Sequence, residues 1–365
     1  MRTTRRSGLS YYTYTCTAQE FRKRGKKQEG ILFNPQPEDR GPEYDRPLIY
    51  TMGDTDSTPA APMASQDERA SLTSRTIPTM TLSTADNPLT APLPPLPPST
   101  SPAERAAARF QCEERAVLTG GAGALALASA RALLEHGVRF MILMDLQSTI
   151  DKSASEISAL RREFPHKTIE TIHVDVTSEQ EVGSAFIQAY QWMGGIDILC
   201  CFAGIVDCVD SLSVRASQFR KVVDVNLTGS FLCAKAAALW MGEQETGGSI
   251  LFTASISAHS TNYPQPQAAY NVSKAGVAHL TRNLAAEWAV HGIRVNSISP
   301  GYMDTVLNAG DNLKPVRDIW ASRCPMGRMG DVEEITGAVV LLSSTRAGRY
   351  ITGADLCVDG GAMCF

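Results

Sequence analysis

The sequence predicts an α/β fold: a doubly wound parallel sheet of about seven strands in a single domain, preceded by a disordered N-terminal extension. Two observations predict the sheet. Short apolar runs typical of strands alternate with amphipathic helical segments after residue 110, and the first run leads through a glycine-rich turn into a helix. A third observation predicts the extension, because 14 of the 20 prolines precede residue 103.

The extension is predicted to span residues 1–105 and is rich in Pro, Ser and Thr. Its segment 85–102 favours polyproline II, since each proline fixes φ and removes a backbone donor. We interpret this segment as a stiff spacer, with docking to an SH3-like groove as the alternative. The basic, hydroxyl-rich N-terminus weakly resembles a transit peptide. The folded domain is predicted to span residues 106–365.

Strand–helix alternation justifies the elements of this domain in chain order. Strands are predicted at 115–119, 139–145, 169–174, 196–202, 249–254, 293–299 and 355–358. Helices are predicted between them, at 124–136, 152–164, 178–193, 217–242, 268–291 and 331–344. Right-handed crossovers would place these helices on both faces of the sheet.

Composition excludes several classes of function. Residues 103–365 carry 22 basic against 27 acidic side chains, so electrostatics gives no reason to expect binding to nucleic acid or to an anionic membrane. No run of 18 apolar residues predicts a membrane span. The nine cysteines form no CxxC pair, which favours a reducing compartment over disulfides or a zinc site. We therefore expect no metal and a cytoplasmic protein, with a mitochondrial location as the alternative.

The glycine-rich turn follows the first strand, in the run TGGAGALA at 119–126. Glycines there let backbone N–H groups approach a pyrophosphate at the N-terminus of the following helix, which is typical of a Rossmann-type dinucleotide site. Asp145 closes the second strand, where a carboxylate accepts hydrogen bonds from an adenosine ribose and repels a 2′-phosphate. This favours NAD over NADP; a loop acid or a helix N-cap is the alternative interpretation of Asp145.

A second motif, YNVSK at 270–274, opens a long predicted helix. The spacing of four residues places the Tyr270 hydroxyl and the Lys274 ammonium on one helix face. A nearby cation stabilises phenolate, so the pair predicts a tyrosine with a lowered pKa that serves in acid–base catalysis.

From about Phe110 to Gly361 the chain resembles a short-chain dehydrogenase/reductase, and within that family the fungal-type polyol (arabinitol, sorbitol, mannitol) dehydrogenases. The residues that carry the resemblance are TGGAGALA (119–126), Asp175-Val176, Ala203-Gly204, Asn226, Ser255, YNVSK (270–274), SPGY (299–302) with Thr305, and ITGADLCVDGG (351–361).

The resemblance implies a role for each matching residue. Tyr270 would exchange a proton with the substrate hydroxyl, and Ser255 would hydrogen-bond the substrate oxygen. Lys274 would bind the nicotinamide ribose, and Asn226 would hold a water that links Lys274 to solvent. Cofactor contacts are implied for Thr119, Gly120, Gly123, Leu125, Asp145, Asp175, Val176, Ala203, Gly204, Tyr270, Lys274, Pro300, Gly301, Met303 and Thr305.

The serine requires a choice between two positions. The family's serine commonly precedes the tyrosine by 13 residues, which selects Ser257. Placement at the strand end selects Ser255 instead, with Asn262–Gln267 as an insertion, and we favour Ser255.

Three departures from the family pattern concern the cofactor. Ala124 and Ala126 replace two glycines of the phosphate turn, and Ala124 would be strained by about 1 kcal/mol if its φ had to be positive. The usual NNAG is here Cys201-Phe202-Ala203-Gly204, which keeps the small pair but loses the amides.

These observations predict an NAD-dependent oxidoreductase that interconverts a secondary alcohol and a ketone, with a sugar alcohol and a ketose as the favoured pair. The alternatives are a carbonyl reductase of secondary metabolism and a non-catalytic nucleotide-binding scaffold. His259 could contact a polar substrate, and Trp320, in the substrate-specificity stretch 306–328, could face it. The apolar faces of 217–242 and 268–291 predict a homodimer or homotetramer.

Overall fold

Seven parallel strands form one sheet in the computed structural model, which describes residues 76–305 and 313–364. The strand order is β3-β2-β1-β4-β5-β6-β7, and the predicted doubly wound α/β fold is confirmed. The strands are β1 (Arg115–Thr119), β2 (Phe140–Asp145), β3 (Thr168–His173), β4 (Ile198–Cys201), β5 (Gly248–Thr253), β6 (Ile293–Pro300) and β7 (Asp355–Val358).

Ten α-helices lie in the part of the chain that the structure describes. They are α1 (Pro102–Phe110), α2 (Ala124–Glu135), α3 (Gln147–Lys152), α4 (Ala154–Glu163), α5 (Glu179–Met193), α6 (Ala216–Val223), α7 (Gly229–Glu243), α8 (Ala268–Trp288), α9 (Lys314–Ser322) and α10 (Thr336–Ser343). Short 3₁₀ turns occupy Ile256–Ala258, Ala289–His291 and Val332–Ile335.

The alternation of side chains along β1 separates two apolar cores. Val117 points to one face of the sheet, where it joins a cluster with α5, α7 and α8. Ala116 and Leu118 point to the other face and join a cluster with α2, α4 and α10. Because successive side chains of a strand face opposite ways, helices on both faces are needed to bury a strand as apolar as this one.

The predicted continuous helix 217–242 is divided. Between α6 and α7 lies a π-helical segment, Asp224–Thr228, in which Gly229 N–H donates to the carbonyl of Asp224. The extra residue in this turn rotates Asn226 into the interior, where it is 1% exposed. Such π-helical turns often occur at functional sites.

The N-terminal extension is ordered further upstream than predicted. Helix α1 begins at Pro102 behind a capping box formed by Ser101 and Glu104, within the stretch predicted to be disordered. Before it, the Asn87 amide donates to the carbonyl of Val290 at 2.8 Å, and Arg349 donates to the carbonyls of Leu89 and Ala91 at 3.0 and 2.7 Å. The rest of the predicted extension, residues 1–75, lies outside the described residues.

By length and composition, Ala216–Glu243 is apolar enough to cross a membrane. In the fold, however, its Cys233, Ala234, Ala237 and Met241 side chains are buried in the core beside β4 and β5. It therefore has the position of a core helix of the α/β domain.

Candidate active site

The candidate site lies at the carboxyl ends of the strands, where ligands bind in open parallel sheets. Gly120 follows β1, Ala203 follows β4 and Ser255 follows β5, and these three strands are neighbours. Tyr270 and Lys274 come from the first turns of α8, which packs beside β5 and β6. The fold thus brings the residues of the predicted site to one edge.

Ser255, rather than Ser257, is the hydroxyl paired with Tyr270. A hydrogen bond with Ser255 lowers the pKa of the Tyr270 phenol. Ser255 in turn donates to the Ser257 hydroxyl at 3.0 Å and accepts from the Ser257 N–H at 3.1 Å. Ser257 therefore lies behind Ser255 and holds its orientation.

The predicted lowering of the tyrosine pKa by Lys274 is not found. Burial outweighs the bond to Ser255 and raises the pKa of Tyr270 above its usual value. The Lys274 Nζ lies 5.6 Å from the centroid of the Tyr270 ring and donates to the carbonyl of Thr253 at 2.7 Å. Burial also lowers the pKa of the Lys274 ammonium itself to about 8.

Asn226 is a structural link between the β4 end and α8. Its amide exchanges two hydrogen bonds with the backbone of Ile205, at 2.8 and 2.9 Å, and donates to the Ser273 hydroxyl at 2.9 Å. Ser273 donates onward to the carbonyl of Tyr270 at 2.7 Å. All hydrogen bonds of the Asn226 amide therefore go to protein groups, and the implied water relay stays a prediction.

The phosphate turn is shaped by Gly120. Its φ is +63°, and a Cβ built there would lie 2.5 Å from the backbone nitrogen of Ala203, so glycine is required on both counts. Gly123 is the N-cap of α2, with no side chain to bond the first backbone N–H groups, which include that of Leu125. Those donors and the helix dipole suit an anion.

The two alanines do not strain the turn. Ala124 is the first residue of α2, and Glu245 is the one non-glycine residue with positive φ among those described. The positive-φ cost considered for Ala124 therefore does not arise. Ala126 is fully buried in the core cluster with α10, where a methyl group packs.

Asp145 is anchored to the phosphate turn. Its carboxylate accepts from the Ala122 N–H at 3.1 Å and from the Leu146 N–H at 2.8 Å. It is not the N-cap of α3, since that position is held by Leu146. Asp145 remains half-buried at the carboxyl end of β2.

The remaining cofactor candidates surround this edge. Asp175 is turned toward its own loop and accepts from the N–H and hydroxyl of Thr177 at 2.9 and 2.7 Å. Val176 is buried against Gly229, where a Cβ would approach it to 2.8 Å. The others form the walls next to the turn and past β6: Thr119, Ala203, Gly204, Pro300, Gly301, Met303 and Thr305.

A cleft of about 350 Å³ has Ile256, the residue after Ser255, in its wall. Its walls come from the segment after Ser255, from the end of β6, from α9 and from the C-terminal residues 357–362. Trp320 lines the cleft from α9, but it is 7% exposed and its ring stacks on Tyr302. The first part of the predicted specificity stretch, 306–312, lies outside the described residues.

The sequence did not reveal a polar assembly in this wall. Tyr302 accepts hydrogen bonds from Asn262 at 2.7 Å and from Gln265 at 3.0 Å, both within the predicted insertion. The insertion itself was recognised from the spacing between Ser255 and Tyr270, which is the one signal that pointed to it.

His259 is engaged within the protein. Its Nε2 lies 2.6 Å from the carboxylate of Asp355, which also accepts from the hydroxyls of Ser297 and Ser299 at 2.7 and 2.8 Å. With Cys357, this pair is the one group of metal-ligand type that we find among the described residues. Since hydrogen bonds already occupy its carboxylate, the cluster holds β7 to β6 and to the turn after Ser255.

Comparison with known proteins identifies the relatives of this chain. The family described as "Enoyl-(Acyl carrier protein) reductase" matches residues 120–363. A D-arabinitol 2-dehydrogenase [ribulose-forming] from Scheffersomyces stipitis is 34% identical over 68% of this chain and 94% of its own length. An NADP-dependent mannitol dehydrogenase from Hypocrea jecorina is 38% identical over 67% of this chain and 90% of its own length.

A solved short-chain type dehydrogenase/reductase from Mycobacterium marinum is 37% identical with a TM-score of 0.63, covering 70% of this chain and 98% of that chain. Its fold and the two alcohol-dehydrogenase relatives agree with the geometry of the site. The chain belongs to the short-chain dehydrogenase/reductase family, as an oxidoreductase that interconverts an alcohol and a ketone with a nicotinamide dinucleotide.

Proposed function

We propose that this protein is an NAD-dependent dehydrogenase of a sugar alcohol, which it converts to a ketose with Tyr270 as the acid–base residue. The observation that carries the proposal is the Tyr270–Ser255 pair at the carboxyl end of β5, with Lys274 one helical turn away. The names of the relatives, an arabinitol and a mannitol dehydrogenase, support a polyol substrate.

The residues at the strand ends suit a dinucleotide. A Cβ at Gly120 would meet the Ala203 backbone, and a Cβ at Gly204 would come within 3.3 Å of the Asn226 amide and 3.6 Å of the Lys274 Nζ. The absence of side chains at both positions thus lets the strand-end backbone pack closely beside Asn226 and Lys274. A nicotinamide cofactor supplies a hydride acceptor or donor when it is bound there.

Asp145 supports NAD as the preferred form. A carboxylate at the end of β2 accepts hydrogen bonds from ribose hydroxyls and repels a 2′-phosphate. The two residues that follow, Leu146 and Gln147, bring no positive charge to offset it. NADP is the alternative, since one relative is an NADP-dependent enzyme.

The chain's own groups divide the proton chemistry. Ser255 positions and polarises the substrate oxygen through its hydroxyl. During oxidation the Tyr270 phenolate accepts the hydroxyl proton from that oxygen, and during reduction the phenol returns it. Lys274, which would bind the nicotinamide ribose as an ammonium, has a pKa of about 8 and therefore loses this charge in alkaline solution.

Two separate observations support a proposal for assembly and for location. Exposed apolar side chains on α7 and α8, Phe231 at 36%, Leu239 at 64% and Val272 at 55%, support a homodimer or homotetramer built on these helices. All eight cysteines of the described residues are free, which suits the reducing cytoplasm. We propose that residues 106–365 form the catalytic domain.

Fluorescence titration with NADH and NADPH tests the proposal. We expect the wild-type protein to bind NADH at least about tenfold more tightly, because burying an unfavourable charge contact costs on the order of 1.4 kcal/mol or more. Tyr270→Phe should retain NADH binding and lose alcohol oxidation. Tighter binding of NADPH would overturn the role of Asp145, and binding of neither cofactor would overturn the enzyme function.

A further inference from the structure

One side of the cleft is a rigid stack of two rings. Tyr302 lies two residues after the last residue of β6, and its ring is parallel to that of Trp320, with centroids 4.4 Å apart and planes at 7°. Trp320 is buried on α9, so it holds the plane of the Tyr302 ring. The Tyr302 hydroxyl is thereby fixed in position, leaving only the direction of its proton to be decided.

Gln265 helps to set the direction of the Tyr302 O–H bond. The indole N–H of Trp320 can only donate, and it donates to Gln265 Oε1 at 3.0 Å. The amide of Gln265 must therefore present its Nε2 on the other side, where it donates to the Tyr302 hydroxyl at 3.0 Å.

Asn262 completes the arrangement, since its Nδ2 donates to the same hydroxyl at 2.7 Å. A phenolic oxygen accepts two such bonds and retains one proton to donate. No acceptor for that proton is found among the described residues, and the Asn262 Oδ1 is likewise buried without a partner there. The two amides thus direct the Tyr302 proton away from the insertion.

The free donor lies close to the reacting groups. Tyr302 lines the cleft together with Ile256, the residue that follows Ser255. It is also near enough to Tyr270 to raise the pKa of that phenol. A molecule in the cleft with one oxygen at Ser255 and Tyr270 would therefore meet a second donor at Tyr302.

We propose that Tyr302 determines substrate specificity by donating a hydrogen bond to a second hydroxyl of the substrate, with Asn262, Gln265 and Trp320 as its positioning residues. The proposal rests on the proposed alcohol-dehydrogenase function. A site of this kind favours compounds that carry several hydroxyls over alcohols that carry one. A substrate with a single hydroxyl leaves the Tyr302 proton without a hydrogen-bond acceptor in a half-buried site.

Tyr302→Phe tests this directly, since it removes the hydroxyl and keeps the stack on Trp320. We expect kcat/KM for the best substrate among arabinitol, sorbitol and mannitol to fall about tenfold. For 2-pentanol and cyclohexanol it should change less than about twofold. Gln265→Met should produce a smaller loss on the polyol alone, because it frees the Tyr302 proton to rotate.

Tyr190→Phe is the matched control, as Tyr190 also stacks on a tryptophan, Trp240, with centroids 4.1 Å apart, but lies on α5 away from the cleft. It should leave both kinds of activity unchanged. An unchanged polyol kcat/KM in Tyr302→Phe, or an equal loss on both kinds of alcohol, would overturn the role of Tyr302. A wild-type protein inactive on every alcohol would instead overturn the function itself.

Discussion

At the scale of single residues, Lys274 is a buried side chain whose surroundings disfavour its positive charge. It is 5% exposed, and its ammonium has a pKa of about 8 in the fold against an ordinary 10.5. Because the folded pKa is the lower one, protonated Lys274 destabilises the fold fully below pH 8. This cost fades as the pH rises from 8 to 10.5, where the unfolded chain also loses the proton.

We predict that Lys274→Met stabilises the protein at pH 7. The pKa difference corresponds to a cost of about 3 kcal/mol for the buried charge, which the substitution removes. Loss of the hydrogen bond to Thr253 offsets about 1 kcal/mol of this, so the free energy of unfolding should rise by about 2 kcal/mol. Denaturant unfolding at pH 7 and pH 10 measures the gain and its decline.

Lys235→Met is the control, since Lys235 is exposed on α7 and pairs with Glu179 at 3.2 Å. It should shift stability by less than about 0.5 kcal/mol. A Lys274→Met protein less stable than wild type at pH 7 would show that the hydrogen bond outweighs the buried charge.

The two neighbouring serines give a second prediction. Ser255→Ala should lower kcat/KM about 10²-fold to 10³-fold, because it removes the hydroxyl that pairs with Tyr270. Ser257→Ala should lower it about tenfold at most, because Ser257 acts through Ser255. Steady-state kinetics of both variants decides the assignment, and the opposite order would move the catalytic role to Ser257.

The convergence of these residues could be predicted because strand ends and helix spacing are visible in sequence. Ser255 follows a recognisable strand, and Tyr270 and Lys274 share a helix face. The direction of the Lys274 ammonium toward the carbonyl of Thr253 could not be predicted. The hydrogen bonds from Asn262 and Gln265 to Tyr302 could not be predicted either. Their geometry depends on loop conformations, and loops show no periodic pattern in the sequence.

At the scale of elements, the segment before α1 is fastened by side chains far along the chain. Arg349 donates to the carbonyls of Leu89 and Ala91, and Arg346 donates to the carbonyl of Pro94 at 3.2 Å. Composition indicated disorder here because prolines prevent regular backbone pairing. The partners lie about 250 residues later, which a local pattern cannot reveal. The π-helical turn at Asn226 was not predicted either, because the partners of Asn226, Ile205 and Ser273, also lie far from it in the sequence.

We predict that Arg349→Ala loosens this segment. It removes donors to two carbonyls, so the free energy of unfolding should fall by about 1 to 2 kcal/mol. Limited proteolysis should then cut residues 83–100 faster than in wild type.

Arg139→Ala serves as the control, because Arg139 pairs with Glu114 at an exposed site, 3.1 Å apart, and should contribute little. Equal stability and equal cleavage in Arg349→Ala and wild type would show that residues 83–100 are not fastened by this side chain.

At the scale of the whole molecule, the seven strands and their parallel pairing followed from strand–helix alternation, with boundaries within about two residues. The short helices α3 and α9 were not predicted, since neither shows a long apolar period. The sequence of one chain does not determine how many copies associate, although the exposed apolar face of α7 and α8 favours association.

We predict a homodimer or homotetramer in light scattering after size-exclusion chromatography. Phe231→Glu, in the groove between α7 and α8, should shift the protein toward monomers because a charge would be buried at the interface. Leu212→Glu should not, since Leu212 is 96% exposed in a turn outside these helices. A wild-type monomer at all concentrations would contradict the assembly.

We propose that Tyr270 drives NAD-dependent oxidation of a sugar alcohol, and NADH formation at 340 nm with arabinitol, sorbitol, mannitol and xylitol tests this claim most directly. We predict turnover of at least one of them with NAD by the wild-type protein. Tyr270→Phe should be slower by about 10³-fold while it still binds NADH. No turnover of any polyol with either NAD or NADP, or full activity in Tyr270→Phe, would contradict the claim.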